Sequence, residues 1–399
     1  MLQRLDNPNA TEAALIAAAG RMARTPARSR ALAAFERQGL PTRRVEEWHY
    51  TDLRSRLKLS VSPAGATMAG PPVAGAAIRV VDGRLEEAAM PPLPAGVKRV
   101  PFAGHDSDAT VAVIAAMLAG EGLALAIAAG GKAATPILIR HEATGAAPFG
   151  AQIEVAIGAG AEATIVEQLT GHAPLAAVRT RLRVADGARA VWAIFQENDA
   201  NSSVLARLEI ELGADAELTI LAFNRASALV RREIAVAAAG ANSRIVMRGV
   251  NLIGAAGHVD LTTDIGHSAP GVAASEIFRN VVTGDGQGAF QGRIRVAAQA
   301  QKTDARMACN TLLLSDEAEF SAKPELEIFA DDVQCGHGAT VADILPEHLF
   351  YLRARGIPER EARAMLVKGF VEDTFGEVAD ESLREAFNAR IEDWLDRHG

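Results

Sequence analysis

Cysteine is nearly absent: Cys309 and Cys335 are the two in 399 residues. Two thiols cannot form a disulfide framework in a chain this size, and no N-terminal segment joins a basic start, an apolar run and a small-residue cleavage site. Both absences point to a reducing, cytoplasmic setting. Positive charge is not in excess either. Lys and Arg number 41 against 49 Asp and Glu, a net charge of −8, so no sequence-wide basic field would draw nucleic acid or anionic lipid. A long uninterrupted apolar run is missing too. The most apolar region, 111 to 130, is rich in Ala, broken by glycines and interrupted by Glu121, which does not suit a membrane span. Aromatic residues make only 5% of the chain, leaving little for the stacking platforms of a sugar-binding cleft.

Familiar catalytic and nucleotide signatures are also lacking. There is no Gly-x-Ser-x-Gly elbow and no His-Glu-x-x-His pair. "GDGQGAFQG" misses the dinucleotide fingerprint by one position and runs into a strand, with no helix to hold a phosphate. "GGKAA" at 130 to 134 lacks both the upstream glycine of a P-loop and the hydroxyl that would bind magnesium. Any ATP hydrolysis serving this protein belongs to another chain.

What the chain does have is 49% hydrophobic content, ample for a sizeable core, arranged in three regions. Residues 1–120 read as an N-terminal helical domain with a linker. Ala13, Ala14, Ile16 and Ala17, then Ala31, Leu32, Ala33 and Phe35, recur at helical spacing, "GLPTRR" breaks the pattern, and "AIRVVDGRLEE" suggests a hairpin in a Gly/Pro/Ala-rich stretch. Residues 121–345 alternate in short runs such as "PILIRHE", "AQIEVAI" and "VLARLEIEL". Gly131, Gly160, Gly187, Gly213 and Gly240 open successive turns at steps of 29, 27, 26 and 27 residues. A step of about 27 residues fits one coil of a stacked strand solenoid, a β-helix, better than helix pairs. Strand spacing alone also fits an antiparallel sandwich. Past Gly240 the rhythm loosens. Residues 346–399 turn helical again, and Leu383, Phe387, Ile391, Trp394 and Leu395 form one apolar stripe, read as core more than as interface.

The chemistry concentrates in "IFADDVQCGHGATVADI", residues 328 to 344. Cys335 and His337 are two apart, so on an extended segment they project to the same side. Thiolate and imidazole together suit a soft metal centre, but a closed zinc site or an iron–sulfur cluster wants four ligands. The missing ones would come from a second protein or an incoming thiol. Cys309, 26 residues upstream, would sit about one coil away and stack near Cys335. A Cys-His nucleophilic pair and an ordinary Gly-rich turn are the competing readings. His258 and His267, nine apart, would share a strand pair; other histidines read as ordinary polar groups.

Long blocks carry a resemblance. "HVDLTTDIGHSAPGVAASEIFRNVV" (258 to 282), "QKTDARMACNTLLLSDEAEFSAKPELEIFADDVQCGHGATV" (301 to 341), "LFYLRARGIPEREARAMLVKGFVEDTF" (349 to 375) and "LPTRRVEEWHYTDLR" (40 to 54) closely resemble the SufD branch of the SufB/SufD family of iron–sulfur cluster assembly proteins. The resemblance implies a mainly β fold, a right-handed parallel β-helix flanked by N-terminal and C-terminal helical domains, and a scaffold subunit that is not an enzyme by itself. It implies pairing with SufB through the β-helix ends, docking of the SufC ATPase on the C-terminal helices, and a homodimer in isolation. No tightly bound cofactor is expected, only transient iron or an iron–sulfur cluster shared with the partner. Carried over by motif, Cys335 and His337 become candidate metal and cluster-assembly residues at the partner interface, and Leu349, Phe350, Tyr351, Leu366, Phe370 and Phe375 mark the docking region. Gly336 stands where Ser is more usual, and Cys309 where the family gives no cysteine, so it receives no role. The alternatives are a β-helix polysaccharide lyase or hydrolase, and a purely structural subunit with an inert Cys335.

Overall fold

The chain was analysed as a computed structural model, which describes residues 7–59, 67–376 and 378–398. Its helices are α1 (Ala10–Gly20), α2 (Pro26–Gln38), α3 (Leu53–Arg56), α4 (Thr110–Leu118), α5 (Pro346–Arg353), α6 (Glu359–Glu372) and α7 (Glu381–His398). Between α4 and α5 the chain winds back and forth between two facing sheets. One sheet holds β1 (Ala77–Val81), β2 (Arg84–Leu85), β5 (Ile137–Thr144), β7 (Glu162–His172), β9 (Arg189–Asn198), β11 (Glu217–Arg225), β13 (Arg244–Ile253), β15 (Ala273–Val282), β17 (Asp304–Leu313) and β19 (Gln334–Ala342). The other holds β3 (Val97–Arg99), β4 (Leu123–Ile127), β6 (Phe149–Ile157), β8 (Ala176–Val184), β10 (Ser203–Leu212), β12 (Leu229–Ala238), β14 (His258–His267), β16 (Gln287–Val296) and β18 (Glu319–Ile328). From β4 onward each strand pairs in parallel with the strand two along the chain, so two strands make one coil of a parallel β-solenoid. The antiparallel sandwich is thereby excluded.

The rhythm read from glycines is real, but its anchor is a conformation rather than a residue type. Gly130, Gly160, Gly187, Asp215, Asn242, Gly271 and Lys302 all have positive φ, from +52 at Asp215 to +72 at Gly271. Each donates its N–H to the carbonyl just ahead of the equivalent position one coil on: Gly160 to Asp186 at 2.9 Å, Asp215 to Ala241 at 2.8 Å, Lys302 to Asp332 at 2.7 Å. Asp and Asn tolerate the left-handed region well enough to replace glycine there. Gly213 and Gly240, by contrast, have ordinary φ. They are bare because a Cβ on Gly240 would come within 1.9 Å of the Ala214 nitrogen, in the coil stacked against it. The glycine count therefore fades after 240 while the ladder continues.

Coil length explains the loosening. Glu162 pairs with Arg189 and Arg189 with Glu217, steps of 27 and 28. Ala273 pairs with Asp304 and Asp304 with Gln334, steps of 31 and 30, the extra residues falling in the turns.

Inward side chains from both sheets, among them Ile165, Trp192, Ile220, Leu261 and Ile294, fill one continuous core. The solenoid begins earlier than residue 121. β1 lies in the region set off as 1–120, yet it pairs in register with β5, and the expected hairpin with β2 caps that edge. Helices α1, α2 and α4 pack over Leu175, Ala177 and Leu205 on the β8–β10 side. The α7 stripe, with Trp394 2% exposed, lies on the outer face of the opposite sheet against Leu138, Val166, Phe195 and Phe223. Among the described residues no helix is long and apolar enough to cross a membrane.

Candidate functional site

Sealing is unequal at the two ends of the solenoid. The first coils are closed by antiparallel pairing, β1 with β2 and β3 with β4. Among the described residues the last coil, β18 and β19, is not closed: β19 pairs only with β17 and β18 only with β16. Where β16 is almost wholly buried, β18 is half-buried and β19 mostly exposed. Phe329 (72% exposed) and Val341 (42%) stand at this end. Two neighbouring strands thus present unpaired backbone and apolar side chains at an open edge, a feature that soluble proteins normally cover.

Cys335 and His337 sit in the middle of that edge. Parallel register pairs Cys335 with Ala305, His337 with Met307, Ala339 with Cys309 and Val341 with Thr311. Ala305, Met307 and Cys309 are 0%, 3% and 0% exposed, so this is the inward row of the core. On β19 the same row has no coil above it, which leaves His337 exposed and Cys335 half-buried against the core. Burial pushes the Cys335 thiol above its ordinary value, with the negative charge of Asp304 adding and a backbone hydrogen bond from Ala305 opposing. A thiol held protonated in this way is a poor nucleophile, which weakens the Cys-His nucleophile reading. Asp331 and Asp332 are exposed at the preceding turn, where Asp332 forms an ion pair with Lys302.

Cys309 does not join them. It pairs with Ala339, four residues along from Cys335, about 13 Å at the usual rise per strand residue. The coil here is 30 residues rather than 26, so a spacing of 26 misses the register. Asn280 Nδ2 donates to its sulfur at 3.3 Å, and burial pushes its thiol up to about 12. The expected His258–His267 pairing also fails. Both lie on β14, at opposite ends. His258 bonds the Thr51 hydroxyl (2.8 Å), and burial, with Arg56 and Arg231 nearby, holds its pKa down to about 3; burial alone takes His267 to about 4. Among the described residues no three His, Cys, Asp or Glu side chains converge as a metal site.

The motif "EEWHYT" gains a structural meaning that spacing did not reveal. Arg231 donates to the Glu47 carbonyl at 2.7 Å and to Asp260 at 2.5 Å while lying over the Trp48 ring, and Thr51 bonds Asp260 as well. Glu46 reaches Lys323 on β18 at 2.9 Å, so this N-terminal strap spans β12 to the last coil. The signal was present as paired carboxylates and a lone Trp, but its target on another element was not.

The docking residues divide. Phe350 and Tyr351 are exposed (73% and 57%) beside exposed Leu345 and Met365; Leu349 and Leu366 are half-buried. Phe370 is half-buried under the Arg279 guanidinium, 4.7 Å from the ring centre. Phe375 corrects the expectation: it is 0% exposed, stacked on Phe387, which stacks on Phe195, and so offers no surface to a partner. On the outer face of the β8–β18 sheet, Arg179, Arg181 and Arg295 are ion-paired to Glu209, Glu211 and Asp264 around a trough of about 660 Å³. Phe329 is the one Phe, Tyr or Trp lining it, which gives a sugar chain no stacking platform.

The SUF system FeS cluster assembly, SufBD core domain family matches residues 140–370, from β5 into α6 and more than half of the chain. The iron–sulfur cluster assembly protein SufD of Escherichia coli (strain K12) is 29% identical over 92% of this chain and 92% of its own length. A SufBD family protein of Synechocystis is 25% identical over 64% of this chain and 56% of its own, and one from Mycobacterium tuberculosis 28% identical over 53% and 56%. With a parallel β-solenoid, flanking helices and a family match running from β5 into α6, the chain belongs to the SufBD family of the SUF iron–sulfur cluster assembly system.

Proposed function

We propose that this chain is a non-catalytic scaffold subunit of a Suf complex, working in the cytoplasm. It pairs with SufB through its open solenoid end and carries the SufC ATPase on the exposed apolar surface of α5 and α6. Cys335 and His337 lend donors to iron or to a nascent cluster whose remaining ligands come from SufB. ATP turnover by the docked subunit reshapes the shared site.

One observation carries this reading: a thiol and an imidazole occupy inward core positions on a coil that no described residue seals. In a closed solenoid such groups would be buried and unsatisfied, which costs free energy. In an open one they sit where another polypeptide must arrive, and two donors cannot by themselves complete a cluster. The exposed Phe350 and Tyr351 on α5 and Met365 on α6 support the second contact, since large apolar side chains left in solvent suit an interaction surface.

The test is co-expression with SufB and SufC, purified without oxygen, comparing Cys335→Ser and His337→Ala with the unaltered chain. Both variants are expected to assemble normally, because both side chains contribute little to this chain's own core, and to lose most of the cluster absorption, iron and sulfide. Wild-type cluster content in both variants would overturn the proposal.

A further inference from the structure

β19 has a register problem that the closed coils do not share. It pairs on one side, with β17, and its sequence "QCGHGATVA" is Gly-rich and exposed along most of its length. Strands of that kind specify their register weakly, and a slip by one residue turns every side chain to the other face. Such a slip would carry Cys335 and His337 off the inward row. Just before β19 the turn ladder opposes it: the Lys302 N–H donates to the Asp332 carbonyl at 2.7 Å, and the two side chains form an ion pair. A Cβ on Gly336 or Gly338 would meet nothing within 4 Å, so packing does not wedge the strand at these two positions.

The far half of β19 is fastened from within. Asn224, Asn251, Asn280 and Thr311 stack in register on successive coils, all buried. Asn224 accepts from the buried Arg232 at 3.1 Å and donates to Asn251 at 2.8 Å, which donates to Asn280 at 2.7 Å. Asn280 Nδ2 then serves both the Thr311 hydroxyl at 3.0 Å and the Asn310 carbonyl at 3.2 Å, tying β15 to β17. Beyond it, Asn310 Nδ2 donates to the Thr340 hydroxyl at 2.8 Å, tying β17 to β19. Among the described residues no other side-chain hydrogen bond joins these two strands.

We propose that Asn280 and Asn310 are positioning residues for the open coil: they fix β17 on β15 and β19 on β17, and so keep Cys335 and His337 on the inward row. A column of amides is expensive in a core otherwise filled by aliphatic side chains, since each member must be satisfied. Fixing register is the best-attested use of such buried polar groups. Coils of 30 and 31 residues put longer turns here than in the middle of the solenoid, which leaves more of the alignment to side chains. That losing the relay impairs cluster formation rests on the proposed function. That the relay sets the register does not.

The experiment uses the full chain and reads two rates, amide exchange over residues 334–342 and alkylation of Cys335 by iodoacetamide. Cys309 is buried, so the fast-reacting thiol is Cys335. Thr340→Val removes the acceptor at an exposed position and so keeps the fold. It is expected to raise both rates roughly fivefold, the effect of one lost hydrogen bond, and Thr340→Ser to restore them. Asn280→Leu is expected to raise them at least as much. Asn251→Leu breaks the same column one coil lower and leaves both rates unchanged. Unaltered rates in Thr340→Val, or Asn251→Leu as fast as Asn280→Leu, would overturn the positioning role. Cluster content of the co-expressed complex keeps the two readings apart. If Thr340→Val raises the rates while Cys335→Ser makes clusters normally, the positioning stands and the scaffold reading fails. If Cys335→Ser loses clusters while Thr340→Val alkylates like the unaltered chain, the reverse holds.

Discussion

Glu276 lies one coil below Met307 in the row that ends at His337, 1% exposed and facing a core of aliphatic side chains. Burial pushes its pKa up to about 7 from an ordinary 4.5, with the Thr263 hydroxyl opposing and Asp264 adding. A carboxyl whose folded pKa is raised favours the folded state below about pH 4.5, and that contribution is lost as pH rises through about 7. The span is worth roughly 3 kcal/mol at 1.36 kcal/mol per unit. Glu276→Gln should therefore leave stability near pH 4.5 unchanged and raise it by roughly that amount at pH 8, read by urea unfolding at both values. Parallel stability curves for the two proteins would contradict this. At this scale the Cys335–His337 pair was legible because an extended strand places residues 335 and 337 on one face whatever it pairs with. Met307 and Glu276 were not, since their place beneath His337 depends on coil lengths of 30 and 31 that no local pattern encodes.

The last helix shows what an amphipathic stripe can and cannot announce. Leu383, Phe387, Ile391, Trp394 and Leu395 were readable as one face, and that face is buried. Its counterpart, the apolar outer face of one sheet at Leu138, Val166, Phe195, Phe223 and Val250, was hidden because alternation marks the two faces of a strand but not which element covers the outer one. Trp394→Ala removes a side chain 2% exposed in the cluster that α7 shares with Phe195 and Leu138, and should cost about 3 to 5 kcal/mol, measured as a shift in the denaturation midpoint. A loss under about 1 kcal/mol would mean that the helix is not held by this stripe. The N-terminal strap is the opposite case. "EEWHYT" held no helical or strand period, and its meaning lies in partners on β12, β14 and β18 that are distant in sequence.

For the molecule as a whole, turns repeating about every 27 residues were enough to suggest a solenoid, because stacking demands a near-constant coil. They were not enough to show where it stops being sealed. That asymmetry depends on which terminal elements fold back: the antiparallel partners β2 and β3 close the first coils, and the terminal helices pack along the sides of the solenoid and leave β18 and β19 uncovered. An unsealed coil bearing a thiol, an imidazole, Phe329 and Val341 is the feature from which the proposed pairing and shared ligation both follow. Hydrogen–deuterium exchange over residues 319–342 tests it most directly, comparing the isolated chain with the SufB–SufC co-complex. The account predicts fast exchange along β19 in the isolated chain and strong protection of β18 and β19 on assembly. Unchanged exchange in those strands while the complex demonstrably forms would contradict it.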